Sequence, residues 1–128
     1  DPCEPEIIKM EKKINAGAAF FQTQAVYDVR LFEKFLKATR HLRPKILAGV
    51  MLLKSEKMAQ YMNDHVPGVS VPAAIIGQMA AAKDKKAKCI EISARLIKEL
   101  RNMGIAGIHI MPMGWYGVVP QILDEVSP

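Results

Sequence analysis

The sequence predicts an α/β fold built on a parallel sheet, and three observations carry that prediction. One construction occurs twice: a helix, a Gly-bracketed turn, then a short strand, as KMEKKINAGAAFFQTQ (residues 9–24) and ISARLIKELRNMGIAGIHIM (residues 92–111). In each copy an amphipathic helix stops at a glycine, Gly17 or Gly104, and an apolar run follows; this is the αβ half of a βαβ unit. Residues 45–52 form an almost unbroken apolar run, which suits a strand buried on both faces. The alternation of helical and strand patterns along the chain is the third observation. Such folds place their chemistry at the carboxyl ends of strands. Thr23-Gln24 and Met111-Pro112-Met113-Gly114-Trp115 fall at two of those ends.

Residues 4–15 read as a helix, with Ile7, Ile8, Met10 and Ile14 as its apolar positions and Asn15-Ala16-Gly17 as its stop. Residues 18–23 read as a strand. Asp28 is placed to cap a second helix, to about Arg40, whose face carries Leu31, Phe32, Phe35 and Leu36. Pro44 resets the chain into the strand 45–52. Ser55 caps a helix over 56–62, and Val66-Pro67-Gly68-Val69 links it to another helix starting near Val71-Pro72, with proline tolerated in the first turn. A lysine-rich loop then leads to a long helix, about 89–103, which feeds the strand 107–111; residues 118–126 look like a last helix. The order is α-β-α-β-α-α-α-β-α, in one domain spanning residues 1–128.

Composition narrows the function classes. Half of the 128 residues are hydrophobic and 24% are charged, ordinary for a soluble globular protein. The net charge of +5 is scattered over helices apart from Lys83, Lys85, Lys86 and Lys88, which reads as a solvated loop, and no nucleic-acid-binding signature is present. No apolar stretch approaches the ~20 residues of a membrane span. Cys3 and Cys89 lie far apart, and His41, His65 and His109 show no ligand spacing, so no metal site and a reduced, cytoplasmic setting are expected. Three parallel strands cannot close a barrel and leave edges and faces uncovered in an open sheet. The expectation is therefore a fragment of a longer chain, or a chain that buries its edges against a partner.

INAGAAFFQTQAVYDVRLFEKFL, then KILAGVMLL, a VP-containing helix and GIAGIHIM resemble, in order and spacing, the C-terminal part of methylenetetrahydrofolate reductases. The likeness is nearest to the type of anaerobic one-carbon metabolism. It implies the C-terminal portion, about three βα units, of a TIM (β/α)8 barrel that binds FAD. It also implies a flavoprotein oxidoreductase of one-carbon metabolism and methionine biosynthesis. The family's reaction reduces 5,10-methylenetetrahydrofolate to 5-methyltetrahydrofolate by hydride transfer from reduced flavin. The missing N-terminal half of the barrel would carry the family's catalytic glutamate, so no catalytic residue is expected in this chain, and alone it should be inactive.

Carried over residue by residue, the resemblance makes Gln24 the glutamine that hydrogen-bonds the folate pterin, with Thr23 as companion. An amide suits an edge of alternating donors and acceptors, although a polar residue can also simply end a strand. Lys13 matches a lysine on the FAD pyrophosphate, Glu6 an acidic residue holding a flavin hydroxyl, and Lys9 a polar neighbour. Their spacing lets one helical face present all three, which is equally the pattern of a solvated face.

Two departures stand out. Met62, with Tyr61 beside it, occupies the place of an aromatic that in many members stacks on substrate or nicotinamide, and Trp115 that of an arginine near the folate tail. Both weigh against direct nicotinamide use and glutamate-tail recognition, and fit electron supply by another protein or partner subunit. Trp115 and Tyr116 are equally readable as core or interface aromatics. His109 is readable as facing the barrel interior or as a hydrogen-bonded structural histidine. Two alternatives to the reductase remain. One is a non-catalytic partner-docking or assembly module of the same fold, including a homo-oligomer; the other is a folate- or corrinoid-linked methyl-transfer barrel.

Overall fold

Three short strands pair in chain order, all parallel, in a sheet β1-β2-β3. The computed structural model describes residues 4–15, 17, 20–42 and 44–127, with side chains inside the first helix from residue 8 and Asn15 excepted. The elements are α1 (Glu4–Asn15), β1 (Phe20–Ala25), α2 (Val29–Thr39), β2 (Lys45–Met51), α3 (Glu56–His65), α4 (Ala73–Ala81), α5 (Lys85–Arg101), β3 (Gly107–Met111) and α6 (Val119–Val126). Single 3-10 turns at Arg40–Leu42 and Tyr116–Val118 extend α2 and precede α6. The order of helices and strands is the one the sequence predicts, in a mixed α/β fold.

Local chemistry explains the boundaries. Gly17 and Gly104 take φ of +98° and +76°, the left-handed stop that an L side chain resists. Asp28 accepts from the Arg30 and Leu31 amides, and Ser55 from the Met58 amide, so both expected caps form. Several boundaries differ from expectation, among them the end of α3 at His65 rather than residue 62. β1 ends at Ala25 rather than residue 23, because a bulge lets pairing resume beyond Gln22; Ala18 and Ala19, expected to open it, lie outside the described residues. The lysine run is not a loop: Lys85, Lys86 and Lys88 lie in the opening turns of α5, where the Asp84 carboxylate caps the Ala87 amide. Three cations oppose the helix dipole there. The buried stripe of Cys89, Ile92, Ser93, Leu96, Ile97 and Leu100 outweighs that cost.

Register sorts the strand residues onto two faces. Phe21, Ile46, Ala48, Val50, Ile108 and Ile110 share one face by register, and all of them but Phe21 belong to or pack against a core with Phe32, Leu100, Ile122 and Val126. Ile46, Ala48 and Val50 there are at most 2% exposed. A second core lies beyond the strand ends, where Ala25, Tyr27 and Leu53 meet Ala59 and Met62 of α3, Ile75 and Met79 of α4, and Ile92 and Leu96 of α5. The opposite sheet face carries Phe20, Gln22, Lys45, Leu47, Gly107 and His109. Phe20 is 58% exposed there. Among the described residues no further strand pairs with the outer edge of β1 or β3.

Candidate ligand site at the strand ends

The segments that follow β1, β2 and β3 gather on one side of the sheet because the strands run parallel. What β1 shows there is decided by its bulge. Gln22 pairs with Leu47 and Ala25 with Gly49, so Thr23 and Gln24 together oppose Ala48. The Thr23 hydroxyl accepts from the Gly49 amide at 3.0 Å and donates to the Gln24 carbonyl at 2.8 Å. It satisfies a ladder donor that the bulge would otherwise orphan. One lone pair remains for a ligand, so Thr23 acts chiefly as the support that presents Gln24. Gly49 must lack a side chain: a Cβ would fall 2.8 Å from the Thr23 carbonyl oxygen and 2.9 Å from Met111 Cε.

Gln24 is exposed, and its Oε1 lies only 2.8 Å from where a Cβ on Gly68 would stand. The amide can lie across the α3–α4 connection because that position is glycine. Asn63 holds the connection in place, accepting from the Val71 amide at 2.8 Å and donating to the Val71 carbonyl at 3.0 Å. Below it Tyr27 is buried and donates to the Met51 carbonyl at 2.9 Å, with the Met62 sulfur 3.8 Å away. Burial, and secondarily the nearby Cys89, holds its phenol far above the usual range, so it is a fixed neutral donor.

The other expected site residues separate. Met62 is not free to meet a ligand: it packs into the second core, 5% exposed, because α3 turns that face inward. Tyr61, about 100° round the helix from it, is 62% exposed, with its ring 4.8 Å from that of His65. Lys9 and Lys13 are exposed and one helical turn apart on α1; the side chain of Glu6 lies outside the described residues. His109 is exposed on the open face, paired in register with Gly49, and its ring makes no hydrogen bond to the described residues. The register thus corrects the reading of a hydrogen-bonded structural histidine.

Sequence reasoning missed a third group. Residues 112–115 form a turn closed by the Trp115 amide on the Pro112 carbonyl, with Met113 at φ +53° and Gly114 at φ +91°. Trp115 is half-buried against the larger core, and the Nζ atoms of Lys54 and Lys86 both lie 5.5 Å from its ring centroid. These residues are 61 and 29 positions from Trp115, so no local pattern announces them.

One cavity, of about 210 Å³, lies at the amino ends of the strands between Leu36, Pro44, Ile46 and Ile105; another, of about 450 Å³, is a groove on the outer side of α5. Among the described residues no three His, Cys, Asp or Glu side chains gather to hold a metal, and no helix is long and apolar enough to cross a membrane.

Residues 1–127 match the family model of methylenetetrahydrofolate reductase. The chain belongs to that family. A methylenetetrahydrofolate reductase relative is "Methylenetetrahydrofolate reductase (NADH) 1" of Arabidopsis thaliana, 26% identical over an alignment of 113 residues that covers 84% of this chain and 19% of the relative. Among solved structures, an uncharacterized protein from Clostridium thermocellum superposes with a TM-score of 0.64 at 21% identity, over 94% of this chain and 46% of that one. That protein is described as binding two copies of 5-methyl-5,6,7,8-tetrahydrofolic acid. The chain therefore spans about a fifth of its plant methylenetetrahydrofolate reductase relative and under half of its structural neighbour.

Proposed function

We propose that this chain forms the last three βα units of a (β/α)8 barrel that reduces 5,10-methylenetetrahydrofolate to 5-methyltetrahydrofolate with FAD. The observation that carries the reading is the sheet itself. Among the described residues one face is sealed by helices while the other face and both outer edges stand open, which is what a sector cut from a closed barrel presents. The family match along the chain supports the same reading, as does a folate ligand on the structural neighbour.

The donor set fits a phosphate-bearing cofactor and a pterin. Lys13 would neutralise pyrophosphate charge, with Lys9 as a polar neighbour on the same face of α1 and Glu6 assigned to a flavin hydroxyl by family likeness. Bound FAD would supply the hydride. Gln24, cradled over Gly68, would pair its carbonyl and amide with adjacent donors and acceptors of the pterin, while the Thr23 hydroxyl keeps the bulge in register. Tyr61 is exposed for ligand contact; Met62 lies behind it in the core. The electron supply is assigned to another protein, and the reaction to the cytoplasm.

Calorimetric titration of the natively purified protein, with whatever completes its sheet retained, tests this reading. Gln24→Ala should weaken 5-methyltetrahydrofolate binding by about 1–3 kcal/mol while FAD affinity stays unchanged. Equal folate affinity in both proteins removes Gln24 from the site; absence of folate and FAD binding in the parent removes the reductase reading. A second reading draws on the same open face: the 58% exposed Phe20 and the free strand edges suit a module that docks on another subunit without catalysis. Subunit docking without either ligand would select it.

A further inference from the structure

We infer that Asn63 and Gly68 are positioning residues for Gln24: the connection from α3 to α4, clasped by Asn63, fixes the Gln24 amide before any ligand arrives. This rests on the reading of Gln24 as a ligand contact only for what the held amide binds. The root of Gln24 is already fixed, because the Thr23 hydroxyl donates to its carbonyl at 2.8 Å and accepts from the Gly49 amide at 3.0 Å. Beyond the root a glutamine keeps large rotamer freedom, and a ligand that had to freeze it would bind more weakly. Here the tip has a rest. Gln24 Oε1, Cδ and Nε2 lie 2.8, 3.5 and 3.9 Å from where a Cβ on Gly68 would stand. Among the described residues the Gln24 amide makes no hydrogen bond, so its polar atoms stay available while its position is set by contact.

The rest is rigid on both sides. The Val66 amide donates to the Met62 carbonyl at 3.1 Å, and the Val69 amide to the Val66 carbonyl at 3.3 Å. Val69 and Val71 are buried in the second core with Ala25 and Tyr27, which closely follow Gln24 in the chain. Gly68, between the two valines, stays exposed with φ at +82°. Asn63 reaches from the last turn of α3 to satisfy both backbone groups of Val71, which burial would otherwise leave orphaned. That service alone would make Asn63 a matter of stability. Gly68 lies three residues before Val71 and directly against the Gln24 amide, so the clasp has a second consequence. When it loosens, the rest moves and Gln24 regains its rotamers.

A readout on Gln24 itself separates the two roles. With glutamine labelled by 15N, each of the five glutamines gives one side-chain NH2 pair, and Gln24→Ala identifies that of Gln24 by its loss. In the natively purified protein without ligand, this pair should sit away from the position of a solvated glutamine. Asn63→Ala and Gly68→Ala should each move it to that position. Gly68→Ala alters an exposed residue and carries the test if Asn63→Ala does not fold. A Gln24 pair already at the solvated position, or one that either folded variant leaves in place, overturns the inference. Calorimetric titration with 5-methyltetrahydrofolate then reads the effect on binding. Asn63→Ala should raise the Kd about tenfold in the parent, the weakening expected when one hydrogen-bonding group is misplaced. Added to Gln24→Ala it should change the Kd less than about twofold, since its route to the ligand is gone. The same factor in both backgrounds would mean that Asn63 does not act through Gln24, and overturns the inference while leaving the reductase reading intact. A parent that takes no folate, yet shows the NH2 pair moving as expected, removes the reductase reading and supports the clasp.

Discussion

The two faces of the sheet are made by the same strands, yet they differ in almost every physical respect. On the helix-covered face, Ala48 and Val50 are wholly buried and Ile46 nearly so. On the other, Phe20, Gln22, Lys45 and His109 meet solvent. Because side chains alternate along a strand, one sequence writes both surfaces, and a single-residue slip would exchange them. The bulge at Thr23 and Gln24 is such a slip confined to β1: it sends Ala25 to the Gly49 side and leaves Gln24 at the strand end. The contrast teaches a division of labour. The covered face supplies stability, and the open face with its strand ends is left to bind.

Breaking the covered face should give the largest effect. Leu100→Ala, at a site with no exposure, should cost about 2–5 kcal/mol in chemical denaturation, and a loss below 1 kcal/mol would mean the helices do not seal that face as described. Next comes the bulge. Thr23→Val leaves the Gly49 amide without its partner and should cost about 1–3 kcal/mol, with weaker folate binding as Gln24 loses its support.

The interior also predicts a pH dependence. Burial raises the Cys89 thiol pKa, offset in part by its hydrogen bonds with Ser93 and Leu53, and Tyr27 is raised further. The unfolded chain therefore loses these protons first as pH rises, so stability is fully present below the ordinary thiol value near 8.5 and falls above it. The slope approaches about 1.4 kcal/mol per pH unit for each group in this state. Thermal melts of Cys89→Ala should show a shallower decline just above that pH; an identical slope would remove Cys89 as a cause. The smallest effect belongs to the open face. Phe20→Gln should shift stability of the isolated chain by no more than about 0.5 kcal/mol. A larger loss would show that this face is covered in solution.

The framework was legible because its signals are local. Gly17 and Gly104 mark left-handed helix stops, Asp28 and Ser55 mark caps, and the 45–52 run marks the central strand. α5 starts four residues before the expected position because the Asp84 carboxylate caps it, where the lysine run by itself reads as a solvated loop. Tyr61 and Met62 are neighbours in sequence but lie about 100° apart around α3, and only packing decides which one is buried. The bulge, the Gly68 cradle under Gln24 and the gathering of Lys54 and Lys86 at Trp115 are tertiary facts, invisible to periodicity.

Chain-order pairing has a kinetic consequence as well. The connection between β1 and β2 closes over residues 26–44, nineteen in all, whereas that between β2 and β3 closes over residues 52–106, fifty-five in all. The longer closure costs about 0.9 kcal/mol more in chain entropy. β1 and β2 should therefore zip first around α2, with β3 arriving only after α3, α4 and α5 have folded back. Pulse-labelled hydrogen exchange would see Leu47 and Ala48 protected in an order set by the lengths of these connections, the near partner before the far one.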